Sequence, residues 1–307
     1  MGSSGSKRKV VKVKEIGIDE FYERILRETQ PVAIDIFDGN RDVEGGFELG
    51  NRMVQSKYLI NRKDSWGLPF LVDQCSGSPI LVDLRKGLVT SLCFPVASGA
   101  RVLLTSNDSL FIVSSKSVLQ VSFPKLKQIK FQPMIMEREN FSLTTFETKL
   151  LVTGGNIKNA ETNTCELFDG ETWTQISALN ESRSWHSSIE HLGSVYVFGG
   201  FRTNTIEKLE GKWRVLQVNL PLAINRIGLS PLSDRILVVG GEVIGQGFSV
   251  NGWEFNTQTE GLLPIKNVNF QAFFYNSGSF FDGISYLIGS GMMIAYDPHY
   301  KIFTLHN

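Results

Sequence analysis

Residues 150–155 read LLVTGG, and the same cadence returns as VYVFGG at 195–200 and ILVVGG at 236–241. Each is an apolar run closed by two glycines. That is the composition of a short buried strand ending where the backbone takes φ > 0 or passes close to a neighbour. The first glycines of the pairs, Gly154, Gly199 and Gly240, recur at intervals of 45 and 41 residues, and a degraded copy, YLIGSG at 286–291, follows after 49. A period of roughly 40–50 residues belongs to four-stranded units or to helical arrays, and the 3.6-periodic apolar stripe of a helical array is missing. The chain is therefore expected to be all-β, built from one supersecondary unit used again and again.

Around each pair the same parts appear in the same order. Arg138 in MERENFS and Arg183 in ESRSWHS stand at equal distances before Gly154 and Gly199. After the glycines come a polar loop, a strand such as CELFDG (165–170) or TIEKLEG (205–211), and a tryptophan, Trp173 or Trp213. This order resembles the kelch repeat over about residues 135–307. The segment INRIGLSPLSDRILVVGG (224–241) fits the unit, but its Arg226 lies two positions closer to the glycines, in a different slot. MIAYDPHYKIFTL (293–305) reads as the last two strands of a final blade.

The resemblance implies a kelch-type β-propeller, whose blades cover one another's apolar faces. Traced backwards, SLFIVSSKSVLQVSFPKLKQIKF (109–131) imitates the second to fourth strands with Ser114 and Ser115 at the glycine positions. FLVDQCSGSPILVDLRKGLVTSLCF (70–94) does so again, around Gln74. The expected architecture is six blades of four antiparallel strands over residues 50–307. The six glycines Gly154, Gly155, Gly199, Gly200, Gly240 and Gly241, with Trp173 and Trp213, are its structural marks.

Composition narrows the setting. The 307 residues are 42% hydrophobic and 20% charged, enough to bury a core, and 31 basic residues balance 31 acidic ones. No global basic field for nucleic acid exists. No apolar stretch approaches the length of roughly 18 residues that a membrane span needs. Nor does a secretory leader open the chain. Three cysteines, an odd and small number, do not make a disulfide framework and point to a reducing, cytoplasmic compartment.

Residues 1–49 are read separately. MGSSGS has glycine at position 2 and serine at position 6, the N-myristoylation pattern, and Lys7, Arg8, Lys9, Lys12 and Lys14 follow. One acyl chain binds membranes marginally, and an adjacent basic patch is the second signal that anchoring needs. Gly2 is thus the lipidation candidate of a basic tail (1–15); a flexible terminus without a role is the alternative. In the extension 16–49, IDEFYERILRE (18–28) places Ile18, Phe21, Tyr22 and Ile25 on one face of a short helix, and PVAIDIFD (31–38) reads as a strand.

Catalytic and metal motifs are not found. His186, His191, His299 and His306 lack ligand spacing, no HExxH or CxxC occurs, and the glycine pairs are not phosphate loops because no helix bearing Lys and Ser/Thr follows. FDGETW (168–173) is similar to the aspartate box of sialidases but lacks its serine, and it falls where a third-to-fourth strand turn belongs. No cofactor or metal is expected.

The resemblance implies instead a non-catalytic interaction module that binds a protein partner, an acidic segment foremost, through loops on one face of the ring. Arg138, Arg183 and Arg226 are the expected cations there, since arginine pairs with carboxylates bidentately. The alternative for Arg138 and Arg183 is that each bridges neighbouring blades through backbone carbonyls. Asn156, Lys158, Phe201, Arg202 and Glu242, on the loops after the glycines, complete the expected surface. Enzymes on kelch propellers, such as copper-radical oxidases or sugar isomerases, and cytoskeleton-binding kelch proteins are the other readings. The seven tyrosines and four histidines are not grouped as copper ligands would be.

Overall fold

The computed structural model describes residues 127–306 except 267, 269, 273, 275–277, 282 and 291, together with 99–105, 109–122 and short strands at 34–36, 52–54, 70–73, 80–84 and 88–91. The chain is all-β, a succession of antiparallel sheets. Sheet 1 has three described strands, Phe70–Asp73, Ile80–Asp83 and Leu88–Ser91. The next five have four each. Sheet 2 is Arg101–Thr105, Ser109–Ser114, Ser117–Ser122 and Lys127–Phe131. Sheet 3 is Ser142–Phe146, Lys149–Thr153, Cys165–Phe168 and Trp173–Ile176. Sheet 4 is Ser187–His191, Ser194–Phe198, Thr205–Glu210 and Lys212–Asn219. Sheet 5 is Gly228–Pro231, Arg235–Val239, Gly252–Asn256 and Gly261–Pro264. Sheet 6 is Ser279–Phe281, Ile284–Gly289, Met292–Asp297 and Ile302–His306. Within each, strands pair in chain order.

First strands stand side by side from sheet to sheet, in order from sheet 2 to sheet 6, and the first described strand of sheet 1, Phe70–Asp73, lies beside the first strand of sheet 2. The second strand of sheet 6 lies against the same described strand, Phe70–Asp73, of sheet 1. Small hairpins decorate this frame after the glycine pairs: Asn156–Ile157 with Ala160–Glu161, and Glu242–Val243 with Gly247–Phe248. The expected strand near residue 35 exists as Ile34–Ile36 and pairs with Arg52–Val54. The expected helix at 18–28, the basic tail and Gly2 lie outside the described residues.

The apolar runs work as sequence alternation dictates, successive side chains pointing to opposite faces. In the second strand of sheet 3, Leu150 and Val152 join the cluster shared with sheet 2 while Leu151 joins the one shared with sheet 4. Val195 and Val197 face sheet 3, and Tyr196 and Phe198 face sheet 5. Sheets 3, 4 and 5 are therefore apolar on both faces and need a neighbour on each side. Removing water from one such Leu or Val side chain contributes about 1.5–3 kcal/mol, so stacking rather than any single sheet supplies the stability. Trp173 and Trp213, in the fourth strands of sheets 3 and 4, are buried in these inter-sheet layers.

The glycine pairs end the second strands of sheets 3, 4 and 5, and they are where one repeat touches the next. The second glycine donates its N–H across the gap: Gly155 to the Arg183 carbonyl at 2.8 Å, Gly200 to Ile224 at 3.0 Å, Gly241 to Ala272 at 2.8 Å. The first glycine sits under the same carbonyl, with φ between +53° and +64° at Gly154, Gly199 and Gly240. The backbone that closes a strand thus also fixes the start of the following sheet.

Candidate functional site

Arg138 and Arg183 are fully buried and turned inward, which corrects the expectation that they reach a partner's carboxylate. Each stays inside its own repeat. Arg138 Nη1 donates to the carbonyls of Gly154 (2.9 Å) and Thr164 (2.8 Å), and Nη2 pairs with Glu166. Arg183 Nη1 donates to Gly199 (2.9 Å) and Thr205 (3.2 Å), and Nη2 pairs with Glu207 at 2.7 Å. The alternative of a strut between neighbouring blades is therefore also changed: the strut binds its own repeat.

The glutamates, on third strands, are equally buried and collect further donors. Glu166 accepts the N–H groups of Ile135 (2.6 Å) and Met136 (3.1 Å). Glu207 accepts those of Asn180 (2.8 Å) and Glu181 (3.2 Å). Arginine and entering chain thus meet on one carboxylate, and each of these charges has a partner, as burial demands.

In the next repeat all three parts change together. The arginine slot holds Ile224, the glutamate slot opposite Val238 holds Trp253, and the slot of the first donating N–H holds Pro221, which has none. Ile224 and Trp253 lie in one buried apolar cluster. The ionic clip has been exchanged as a unit for apolar packing.

Arg226, Trp185 and Asn140 occupy one slot, at equal distances before Gly240, Gly199 and Gly154, and all three have φ above +50°. They form a staircase between sheets: Trp185 N–H donates to the Asn140 carbonyl at 2.9 Å, Arg226 N–H to Trp185 at 2.7 Å, and Phe274 N–H to Arg226 at 2.9 Å. The left-handed turn that a bulky residue avoids is held here by hydrogen bonds on both sides. The Arg226 guanidinium lies 4.0 Å from the Trp185 ring centroid, and that of buried Arg101 5.9 Å from the same ring. Arg226 Nη1 also pairs with Glu242 at 2.9 Å.

The other expected loop residues share this edge, two to four positions after the first glycines. Lys158 tips the hairpin after Gly155 and is exposed, as is Arg202, whose guanidinium stands 5.6 Å from the Phe201 ring centroid. Asn156 bridges to Glu139 through two backbone hydrogen bonds. The structure therefore groups Arg226, Trp185 and Glu242, adds Lys158 and Arg202 on neighbouring loops, and removes Arg138 and Arg183. Trp185 escaped the sequence reading because a tryptophan appears in that slot once; its distance from the glycines was the available signal.

The remaining chemistry-bearing residues have structural partners. His186 is buried against Gly154, bonded through Nε2 to Thr153 Oγ1 at 2.8 Å, and burial holds its pKa well below the usual value. Burial drives the Cys165 thiol up to about 12, so it stays protonated and inert. Asp169 of the FDGETW segment accepts the N–H groups of Glu171 at 2.9 Å and Thr172 at 2.8 Å. That is the turn joining third and fourth strands. Among the described residues no group of His, Cys, Asp and Glu can hold a metal ion.

His191 gives a pH prediction. Burial lowers its pKa from 6.5 to about 4, with Asp234 opposing. The unfolded chain thus binds the proton first as pH falls, so the stability contributed is full above the unfolded pKa and is lost as pH drops toward the folded one. This site alone should cost about 3 kcal/mol across that window. Urea unfolding at pH 7 and pH 4.5 should show the loss, and His191→Phe should reduce it. An equal loss in the variant would remove His191 from the account.

No protein-family model matches the chain, and no curated protein does.

Proposed function

We propose that residues from about 50 to 307 form a six-bladed kelch-type propeller that acts as a non-catalytic interaction module. In this reading the six sheets are the blades. The neighbouring first strands, and the return of sheet 6 onto sheet 1, support a closed ring, which also protects sheet edges. A protein partner binds the face carrying the glycine-pair loops.

The observation that carries this is the registration of the loops. Lys158 and Arg202 stand exposed on the loops that follow Gly155 and Gly200, and Arg226 of the next repeat is set by the staircase hydrogen bonds. These three cations favour an acidic segment of the partner; Arg138 and Arg183, expected beside them, are buried and drop out. Reversing the two exposed charges, Lys158→Glu with Arg202→Glu, should abolish retention of partners identified from a wild-type pull-down, with thermal unfolding unchanged. Retention by the folded variant would move the interface to another surface.

The propeller is proposed to work in the cytoplasm; Gly2 is the candidate myristoylation site that would add a membrane anchor, and a terminus without a role is the alternative. Among the described residues no helix is long and apolar enough to cross a membrane. Gly2→Ala should shift a fluorescent fusion from membranes to the cytosol; identical distributions would reject the anchor.

A further inference from the structure

The position a ligand carboxylate would take on Arg226 is already filled by a carboxylate of the same chain. Glu242 Oε2 lies 2.9 Å from Arg226 Nη1, and the pair is partly exposed, 24% at the arginine side chain and 41% at the glutamate. The backbones of both residues are anchored, while the Glu242 carboxylate stays open to solvent. Glu242 is fixed by backbone pairing with Asn225 on one side and Phe248 on the other. Arg226 is fixed by the staircase and by the Trp185 ring 4.0 Å away. The same slot, two positions after the first glycine, holds Asn156 and Phe201 in the preceding repeats, neither of them charged.

We propose that Glu242 is a tethered competitor that sets the selectivity of this face for acidic partners; the inference rests on the interaction-module reading above. Solvent-exposed ion pairs contribute little to folding, so the pair is poorly explained as a staple. A tethered carboxylate does, however, present itself at high effective concentration. An incoming carboxylate must displace Glu242 and stay beside its charge. A ligand with one acidic group is thereby disfavoured, and a segment with several, engaging Lys158 and Arg202 as well, is selected.

The test is a double-mutant cycle on the full chain, with fluorescein-labelled hexaglutamate as probe, read by polarisation at low ionic strength, thermal unfolding checking each variant. Glu242→Gln should bind about fivefold more tightly than wild type, the upper range for an exposed pair. In an Arg226→Gln background the same change should have no effect, and if that variant unfolds Arg226→Lys takes its place, with a gain smaller than in wild type. An equal gain in both backgrounds would reduce the effect to net charge and overturn the proposal. If Glu242→Gln changes nothing while Arg226→Gln loses the probe, the competitor role falls and the binding face stands. If the probe binds none of these proteins, both fall.

Discussion

Arg183→Met should destabilise the protein by about 3–5 kcal/mol, the usual cost of removing one partner from a buried ion pair. The methionine fills much of the space, so the loss is electrostatic. Glu207, wholly buried, would keep the Asn180 and Glu181 N–H groups but lose the cation bonded to it. Urea unfolding measures it. The neighbouring repeat shows what a neutral solution looks like, with Pro221, Ile224 and Trp253 in the corresponding slots. The triple variant Asn180→Pro, Arg183→Ile, Glu207→Trp should therefore regain most of the stability that the single change loses, since well-packed apolar groups replace buried ion pairs at little cost. A loss under about 1 kcal/mol for Arg183→Met would mean that the carboxylate is neutralised by other means. A triple variant weaker than the single one would show that the two repeats do not share a geometry.

The frame of the molecule was legible because it follows from local chemistry. The unbroken apolar run before each glycine pair predicted strands buried on both faces, and Leu150, Leu151 and Val152 divide between two clusters accordingly. Trp173 and Trp213 fell in fourth strands, and Ser114 ends a second strand as the backward trace required. The direction of Arg138 and Arg183 was not legible, because it depends on partners at variable distance. Glu166 stands further behind Gly154 than Glu207 does behind Gly199, the hairpin Asn156–Glu161 supplying the extra length. A fixed-spacing reading sees two unrelated glutamates, whereas the sheet register places both opposite the residue two before the glycine. The exchange at Pro221, Ile224 and Trp253 was hidden for the same reason: each residue is ordinary alone, and only pairing shows that they replace a salt bridge and its donor together.

The first glycines of the pairs in sheets 3 and 4, Gly154 and Gly199, should be among the least replaceable residues of their repeats. A Cβ on Gly154 would stand 2.5 Å from the Arg183 carbonyl oxygen and 2.6 Å from His186 Cε1, and one on Gly199 would stand 2.5 Å from the Ile224 carbonyl oxygen. These oxygens are the acceptors of the inter-sheet bonds from Gly155 and Gly200, so relief of the clash breaks the contact between neighbouring repeats. Gly211 separates this effect from backbone strain, because it also has positive φ, +72°, but nothing lies within 4 Å of its Cβ position. Gly211→Ala carries only the left-handed penalty, about 1–2 kcal/mol. Gly199→Ala adds forced displacement of packed backbone, about 1–3 kcal/mol further, and Gly199→Val more again because β-branching is hardest to place at φ > 0. Thermal unfolding should rank the three variants in that order, with Gly154→Ala close to Gly199→Ala. Equal losses at Gly211 and Gly199 would mean that φ alone, and not the approach of the next sheet, is what the repeated glycines serve.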